Sequence, residues 1–522
     1  MKRLDIGALL MAMERAKLWR MKSNVILVTI DCLRADHLSC YGYERKTTPF
    51  IDFFASKGMM FENAFANGPF TVASFPSILA SAYPLEFHNL LPLSQDATLI
   101  SEVLQKKGIR TAAIHSNPYL SAFYGYNRGW NYFQDFLYST SNRILKRDYI
   151  KQSIVRHLPQ RILKLCESKV LHKLKVFLGL EYSPYVDAET ITRYAIAWLN
   201  RNKKHPFFLW VHYMDLHEPY WISDIKFEQR YSREVSRLSR VKILNNVLNR
   251  KWSSKSIRDV IDVYDDKLYY IDKCIKRLFH FLDSEGLIEN TIIILTADHG
   301  QEFLDHGHFG HIARFYDELL HIPLIIFGSS IERQADRRLV SLLDIAPTIL
   351  SFYDITMPDD YRGHNLISNP TNTFVISEAP HNEKGVYISG HRIFPSTIRT
   401  YAIRTENWKL ICQEKHGKLY NLELYNLEKD PKETKNVLEK EKEKTEELRS
   451  IIEQHILWEK KMRSASKEKL QRRIRKLRTQ FISTRSNRPS HTHTCSSKNH
   501  SVILLHRGLI IKVGFRSLRS PA

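Results

Sequence analysis

The chain has 522 residues, of which 43% are hydrophobic and 26% are charged. This composition excludes wholesale disorder and allows one large α/β domain with appendages, or two or three ordinary domains. No apolar run approaches the roughly 18 residues needed to cross a bilayer, which argues against an integral membrane protein. Six cysteines without a CxxC pair argue against a disulfide framework and a zinc ribbon.

The net charge of +22 is concentrated near the carboxyl terminus. Residues 460–522 contain 17 Lys and Arg against one acid, Glu468, which places +16 of the net charge there and leaves +6 for the rest. Such a value is ordinary for a soluble domain of this size. The sequence therefore does not favour a nucleic-acid partner, except for this basic tail.

Residues 1–22 form a leader of uncertain status. They begin with basic residues, but the short apolar stretch from Ile6 to Met13 is followed at once by Glu14 and Arg15, so a secretory h-region is missing. A translation start at Met21 is the simpler interpretation. We predict a cytoplasmic protein.

Short β-branched runs alternate with helical patterns along the chain. Continuous apolar strands separated by helices predict an α/β fold with a mostly parallel central sheet and helices on both faces. Apolar residues at helical spacing predict two of the covering helices, Asp187–Asn200 and Asp262–Leu282. The predicted strands are Asn24–Ile30, Thr111–His115, Phe207–Tyr213, Thr291–Thr296, Pro323–Phe327 and Phe374–Ser377.

Two charged insertions and a basic end interrupt or follow this pattern. The insertion at 139–178 is rich in Lys and Arg with interleaved apolar residues, which suits a helix packed on its own domain or one lying on an anionic membrane surface. A second helical insertion covers 225–258. Residues 441–482 predict a charged helix, and 483–522 have the composition of a disordered tail that binds RNA or lipid head groups, or has no function.

Two acids follow predicted strands directly. Asp31 ends the first strand, and Asp298 and His299 follow the strand at 291–296. In open parallel sheets ligands collect beyond the carboxyl ends of the strands, so these side chains are expected to meet in one crevice. For any single Asp at a strand end, capping of a helix is the commoner explanation. Two carboxylates and an imidazole together favour a bound cation.

A Gly/Pro-bounded segment, GPFTVASFPSI at 68–78, places hydroxyls just before a predicted helix. A hydroxyl at such a position lies near backbone N–H groups and the positive end of the helix, which suits an anionic substrate. A metal in contact with that oxygen would lower its pKa and make a nucleophile. Capping by Ser74 or Ser77 is the alternative when the segment is considered alone.

Histidines are concentrated in polar, glycine-rich loops near the predicted strand ends. Their roles would be metal binding, contact with an anionic substrate or proton donation to a leaving group. One histidine alone is more often structural, but five in such loops are harder to explain as core. They are His217, His299, His306, His308 and His311.

Together these segments resemble the sulfatase family of the alkaline phosphatase superfamily, over about residues 23 to 440. The similarity lies in many blocks in the family's order, among them NVILVTIDCLRADHLSCYGY, SFPSILASAYP, FFLWVHYMDLHEPY and TIIILTADHGQEFLDHGHFGH. It implies an alkaline phosphatase-like catalytic domain at 23–397. The stretch 398–440 looks like the family's small closing antiparallel subdomain.

The resemblance also implies roles for individual residues. Asp31, Asp298 and His299 would bind a divalent metal. Ser74 would be the nucleophile, because it begins a nucleophile-x-Pro-Ser element, and the Thr-Phe-Pro context of related phosphodiesterases also favours Ser74 over Thr71.

Two histidines correspond to the family's substrate-binding positions. His217 matches a substrate-binding histidine, and His311 falls near the site of a substrate-binding lysine. Both would stabilise charge on the substrate or protonate its leaving oxygen.

The chain departs from the formylglycine-dependent pattern at several positions. Ile78 stands where those enzymes carry an Arg, Cys32 replaces a second acidic ligand, and Ser116 and Pro118 stand at the Lys-x-His that helps to bind sulfate. An unmodified serine that attacks a sulfate or phosphate ester is therefore the more economical mechanism.

We accordingly predict an enzyme, a metal-dependent sulfatase-like hydrolase that cleaves sulfate or phosphate esters of a small molecule, glycan or lipid. Oxygen-rich ligation with one imidazole suits Ca²⁺, Mg²⁺ or Mn²⁺; a two-metal Zn²⁺ or Mn²⁺ site becomes possible if Asp215, His306 or His308 take part. The predicted catalytic residues are Ser74, His217 and His311, and the predicted metal ligands are Asp31, Asp298, His299 and Ser74.

Two alternatives stay open. The basic insertion at 139–178 would suit a phosphoglycerol- or phosphoethanolamine-type transferase that acts on a membrane lipid or glycan. The missing Arg and the basic tail would suit an inactive protein that binds anions or RNA.

Overall fold

The computed structural model describes residues 24–87, 90–137, 185–218, 230–232, 253–368, 372–381 and 398–486, and the backbone of two strands near the carboxyl terminus. The helices are α1 Pro49–Lys57, α2 Thr71–Ala80, α3 Ile100–Lys106, α4 Ala188–Asn202, α5 Ser254–Ser284, α6 Asp317–Leu320, α7 Ile345–Phe352 and α8 Lys442–Ser486. The strands are β1 Asn24–Ile30, β2 Met59–Phe65, β3 Arg110–Ile114, β4 Tyr132–Gln134, β5 Phe207–Tyr213, β6 Thr291–Ala297, β7 Glu302–Phe303, β8 Phe309–Gly310, β9 Leu324–Phe327, β10 Gln334–Ser341, β11 Val375–Pro380, β12 Ile398–Arg404, β13 Trp408–Lys415, β14 Lys418–Asn426, β15 Val502–His506 and β16 Leu509–Val513.

The central sheet has eight strands in the order β10-β2-β9-β6-β1-β5-β3-β4. All neighbouring pairs are parallel except the two that involve β9, which runs antiparallel to both β2 and β6. Every residue of β1, β5 and β6 is buried, because these strands lie in the middle of the sheet and carry apolar side chains towards both faces. The predicted mostly parallel α/β fold is confirmed.

The sheet is covered by two groups of helices. One group contains α1, α4 and α5, and the other contains α2, α3 and α7. The predicted helices at 187–200 and 262–282 correspond to α4 and α5, although α5 is longer because it begins at Ser254 with a side-chain cap from Ser253. The second group includes α2, which begins next to the carboxyl ends of the central strands and so positions part of the site.

A second sheet of four antiparallel strands, β11-β12-β13-β14, forms the predicted carboxyl-terminal subdomain. Its first strand, β11, contains residues 375–377 of the run at 374–377 that we expected in the central sheet, so this subdomain includes residues before 398. Helix α8 packs on the sheet through buried apolar residues such as Leu448, Ile452 and Ile456. The charged helix expected at 441–482 is therefore α8, and one side of it is a packing surface.

The insertion at 139–178 lies outside the described residues, as does most of 225–258 and the leader 1–22. In the tail expected to be disordered, α8 continues to Ser486 and β15 pairs with β16 in an antiparallel hairpin. Within the part of the chain that the structure describes, no helix has both the length and the apolar character needed to cross a membrane.

Candidate active site

The site lies at the carboxyl ends of three adjacent central strands. Strand β1 pairs in parallel with β5 on one side and with β6 on the other, so their ends meet at one edge. Asp31 follows β1, His212 lies near the end of β5, and Asp298 and His299 follow β6. All four residues are buried. The predicted convergence of the chain near residues 31 and 298–299 is present.

Asp31 and Asp298 form a buried carboxylate pair with opposite pKa shifts. Burial opposes the charge of Asp31, but the imidazoles of His212, His217 and His299 outweigh it and hold the pKa of Asp31 well below its usual range. Burial, together with the negative charge of Asp31, raises the pKa of Asp298 to about 8. A cation between the two carboxylates would allow both to remain ionised.

His299 presents an unprotonated nitrogen to this pair. Its Nδ1–H donates to the carbonyl oxygen of Gly300 at 2.8 Å, and burial lowers the pKa of the ring, so Nε2 carries a lone pair. That nitrogen lies 3.6 Å from an oxygen of Asp298 and 4.0 Å from an oxygen of Asp31. His299 thus has the geometry of a ligand, as the sequence predicted.

The hydroxyl of Thr71 lies where a nucleophile would be expected, next to the predicted metal ligands. It is the first residue of α2, and its Oγ1 lies 3.4 Å from Asp31 Oδ2 and 3.4 Å from His299 Nε2. The residue is buried, and the amino terminus of a helix favours negative charge. Its hydroxyl therefore contacts the same two residues that were predicted to bind the metal.

Ser74, which we predicted as the nucleophile and a metal ligand, does not join this group. Its hydroxyl is fully buried and donates to the carbonyl oxygen of Gly68 at 2.7 Å, which closes the loop before α2 onto the helix. Gly68 is needed there, since a Cβ at that position would lie 2.4 Å from the Cβ of Ala73. Ser74 thus has a structural bond in place of the predicted contact, one helical turn beyond Thr71.

The residues fit a divalent cation. One oxygen or nitrogen from each of Asp31, His212 and Asp298 lies within 4.8 Å of the others. Asp298 Oδ2 is buried and has no hydrogen-bond partner among the described residues, and His212 Nε2 lies 3.4 Å from Asp31 Oδ2. Buried polar atoms without partners are costly unless an ion or water satisfies them. His212 was not predicted as a site residue, because a histidine inside an apolar strand has the pattern of a core residue.

Three imidazole rings, those of His299, His311 and His217, lie in a row that begins at the predicted metal ligands. The ring centroids of His299 and His311 are 4.7 Å apart, and those of His311 and His217 are 4.8 Å apart. His311 Nδ1 donates to Gln301 Oε1 at 2.9 Å. The predicted substrate histidines therefore lie beside the predicted metal ligands.

Asn117 also contacts the site and was missed by the sequence analysis. Its side-chain amide donates to Asp31 Oδ2 at 3.3 Å. It stands between Ser116 and Pro118, where the family's Lys-x-His was expected, and the only signal in the sequence was its position after β3.

Three residues considered for a second metal lie outside the cluster. An oxygen of Asp215 accepts a hydrogen bond from the backbone of Ala188 at the start of α4. His306 pairs with Glu318 at 2.6 Å and stacks on Tyr316, and His308 is exposed. Their predicted metal role is not supported, because Asp215 and His306 are bonded to other residues and His308 is exposed to solvent.

An ion held between Asp31 and Asp298, beside the hydroxyl of Thr71, is what a metal-dependent ester hydrolase needs. A family model described as Sulfatase matches residues 23–355, and one described as N-sulphoglucosamine sulphohydrolase, C-terminal, matches residues 305–462. The chain belongs to the sulfatase family, as predicted, and the predicted enzyme class is confirmed.

The chain is similar to curated sulfatases over most of their length. Arylsulfatase K of Bos taurus is 25% identical over 473 residues, with 83% of this chain and 82% of that protein covered. N-acetylglucosamine-6-O-sulfatase of Bacteroides thetaiotaomicron is 23% identical over 490 residues, with coverage of 83% and 86%.

Solved structures share the fold. A putative sulfatase from Bacteroides thetaiotaomicron superimposes with a TM-score of 0.62 at 18% identity, covering 84% of this chain and 93% of that one. The phosphonate monoester hydrolase of Agrobacterium radiobacter gives a TM-score of 0.61 at 18% identity, with coverage of 85% and 96%. Both support the alkaline phosphatase-like architecture.

Proposed function

We propose that this protein is a metal-dependent hydrolase of sulfate esters on saccharides, with Thr71 as its nucleophile. The single observation that carries the proposal is the position of Thr71 Oγ1, 3.4 Å from both Asp31 and His299 at the start of α2. The saccharide class is supported by N-acetylglucosamine-6-O-sulfatase among the relatives and by a related structure solved with D-glucosamine-2-N,6-O-disulfate.

A divalent ion held by Asp31 and Asp298, with an imidazole nitrogen of His212 in reach, would polarise the ester oxygens and lower the pKa of the Thr71 hydroxyl. Imidazole ligands favour Mn²⁺ or Zn²⁺ over Ca²⁺, which prefers about 6–8 oxygen ligands. Nε2 of His299 is unprotonated and lies 3.4 Å from Thr71 Oγ1, so it can take the Thr71 proton.

The reaction then proceeds by two displacements. Thr71 Oγ1 attacks sulfur, a Thr71–sulfate ester forms, and the bond from sulfur to the sugar oxygen breaks. The leaving oxygen takes a proton from His217, which lies next to His311 beside the metal ligands. Water next attacks the same sulfur, the bond to Thr71 Oγ1 breaks, and hydrogensulfate leaves with Thr71 restored.

A second candidate function is hydrolysis of phosphate esters at the same site. The observation that favours it is again Thr71, because oxidation of a threonine cannot produce the aldehyde that formylglycine chemistry needs. A plain hydroxyl with a metal is sufficient for phosphoryl transfer.

A panel of chromogenic esters tests the proposal. After chelation and addition of Mn²⁺ or Zn²⁺, we expect turnover of p-nitrophenyl sulfate to return, and to fall about a hundredfold or more in Asp298→Asn. Asp215→Asn is the matched control and should keep its rate, because Asp215 lies outside the cluster. Turnover that survives chelation, or equal losses in both variants, would contradict the proposal; faster turnover of p-nitrophenyl phosphate would favour the second candidate.

The membrane-lipid or glycan transferase, the membrane contact through 139–178 and the cytoplasmic location remain predictions. Liposome sedimentation of the full chain beside a variant without 139–178 tests the first two of these. Equal sedimentation of both would speak against a membrane role for that insertion.

A further inference from the structure

Arg110, Arg193 and Arg201 line a groove, the arginine groove, at the end of the central sheet opposite the active site. Arg110 is the first residue of β3 and pairs in register with Phe207, the first residue of β5. The site residue His212 lies further along β5, at a distance of about 17 Å in a parallel strand. The arginine groove is therefore separate from the candidate active site.

Helix α4 supplies one side of the arginine groove. Arg193, Ala197 and Arg201 follow one another at every fourth position, so they lie on the same side of the helix. All three are exposed, and the small side chain of Ala197 leaves space between the two arginines. With Arg110 of β3 and Tyr132 of β4, they line a groove of about 630 Å³. This volume is large enough for a small ligand or for part of a polymer.

The three arginines carry positive charge that the described residues do not neutralise. Within the described ranges, none of Arg110, Arg193 and Arg201 forms an ion pair. Glu189, one helical turn before Arg193, is paired with Arg277 at 3.3 Å. No Asp or Glu is among the described residues that line the groove. Guanidinium groups bind oxyanions through parallel N–H donors, and a bound anion also removes the repulsion between the three charges.

Aromatic side chains line the same groove, but their rings are already packed. Trp198 is buried and contacts Phe207 edge-to-face with ring centroids 5.8 Å apart. Tyr194 contacts Phe136 in the same way at 4.9 Å, and Tyr132 is only partly exposed. The bases of a single-stranded nucleic acid need open ring faces on which to stack. The groove therefore favours anionic groups on a saccharide over an RNA strand.

We propose that the arginine groove is a second binding site for a polysulfated saccharide, in which Arg110, Arg193 and Arg201 hold sulfate groups of the chain that carries the ester. A chain held there presents its other sulfate esters to the active site at a raised effective concentration. This inference rests on the proposed function, because that function supplies the class of ligand. It specifies a polymer with several sulfates as the substrate, in place of a single sulfated sugar.

Binding of a fluorescently labelled heparin hexasaccharide to the full-length protein tests the groove directly. By fluorescence anisotropy, we expect the double variant Arg193→Ala/Arg201→Ala to bind at least about tenfold more weakly than the wild type. Added salt should weaken binding by the wild type more than by the double variant, because salt screens exposed charges. Arg337→Ala is the matched control and should keep the affinity, since Arg337 is exposed on β10 at the far edge of the same sheet.

Kinetics separate the groove from the active site. In metal-loaded protein, the KM for desulfation of the hexasaccharide, relative to the KM for p-nitrophenyl sulfate, should rise about tenfold in the double variant. Thermal unfolding shows whether that variant is folded. Equal binding of the hexasaccharide by the wild type and the folded double variant would overturn the inference and leave the proposed function standing.

Two further outcomes distinguish the ligand and the function. Tighter binding of a single-stranded RNA with the same number of charges, lost in the double variant, would assign the groove to nucleic acid and overturn the saccharide. Arginine-dependent binding of the hexasaccharide without turnover of any sulfate ester would support the groove and contradict the proposed function.

Discussion

Two hydroxyls one helical turn apart have opposite roles in this site. Thr71 is the first residue of α2 and contacts Asp31 and His299, whereas Ser74 is bonded to the carbonyl of Gly68. The sequence context of Ser74, followed by Pro76 and Ser77, resembled a nucleophile motif, but motif similarity does not fix where a helix begins. The start of α2 decides which hydroxyl faces the carboxylates.

Removal of each hydroxyl should have a different effect, one on stability and the other on catalysis. We expect Ser74→Ala to lower the free energy of unfolding by about 1 kcal/mol, because the buried carbonyl of Gly68 loses its donor, and to change kcat little. Thr71→Ala should lose about a thousandfold or more in kcat and stay folded, since removal of a nucleophile costs far more than one buried hydrogen bond. Denaturant unfolding and steady-state kinetics measure both. The reverse pattern would make Ser74 the catalytic residue.

At the scale of elements, continuous apolar runs predicted the central strands well. Strands β1, β5 and β6 lie in the middle of the sheet, and their sequences are almost purely apolar. Strands β2 and β10 lie near one edge and carry polar residues, so their patterns were not recognised. The direction of β9 and the sheet of β11 depend on tertiary pairing, which a local pattern does not contain.

His306 links three elements and should make stability depend on pH. It pairs with Glu318 of α6 and contacts the backbone of Glu433 in the carboxyl-terminal subdomain. Burial opposes its charge, but Glu318 outweighs burial and raises the pKa of His306 to about 9.

A raised folded pKa means that the charged form stabilises the fold below the unfolded pKa of about 6.5, and that this stabilisation is lost as the pH rises through about 9. We therefore expect His306→Gln to lower the free energy of unfolding by about 1–3 kcal/mol at pH 6, with the difference shrinking towards pH 10. Urea unfolding across that range measures the difference. A difference that does not change with pH would show that His306 acts through packing alone.

Helix α8 should be part of the folded core despite its charge. Ile452 is fully buried against the antiparallel sheet, whereas Leu457 on the same helix is 66% exposed. We expect Ile452→Ala to lower the free energy of unfolding by about 2–5 kcal/mol and Leu457→Ala by less than about 0.5 kcal/mol. Equal effects would mean that α8 does not pack as described.

At the scale of the whole molecule, segments more than two hundred residues apart build one site, because the parallel sheet brings the ends of β1, β5 and β6 together. The order of strand, acid and glycine-rich loop made this convergence predictable. His212 was not predictable in the same way, since its role follows from its register next to Thr29 rather than from its neighbours in sequence.

The most direct test of the account is the identity of the residue that carries the covalent ester. Full-length protein loaded with metal is mixed with p-nitrophenyl sulfate, quenched in acid within the first turnovers and digested, and the peptide that contains residues 71–78 is sequenced by mass spectrometry. We expect a sulfate on Thr71, absent from Thr71→Ala and from metal-free protein. A sulfate on Ser74, or an oxidised Ser74, in an enzyme that turns over would contradict the account.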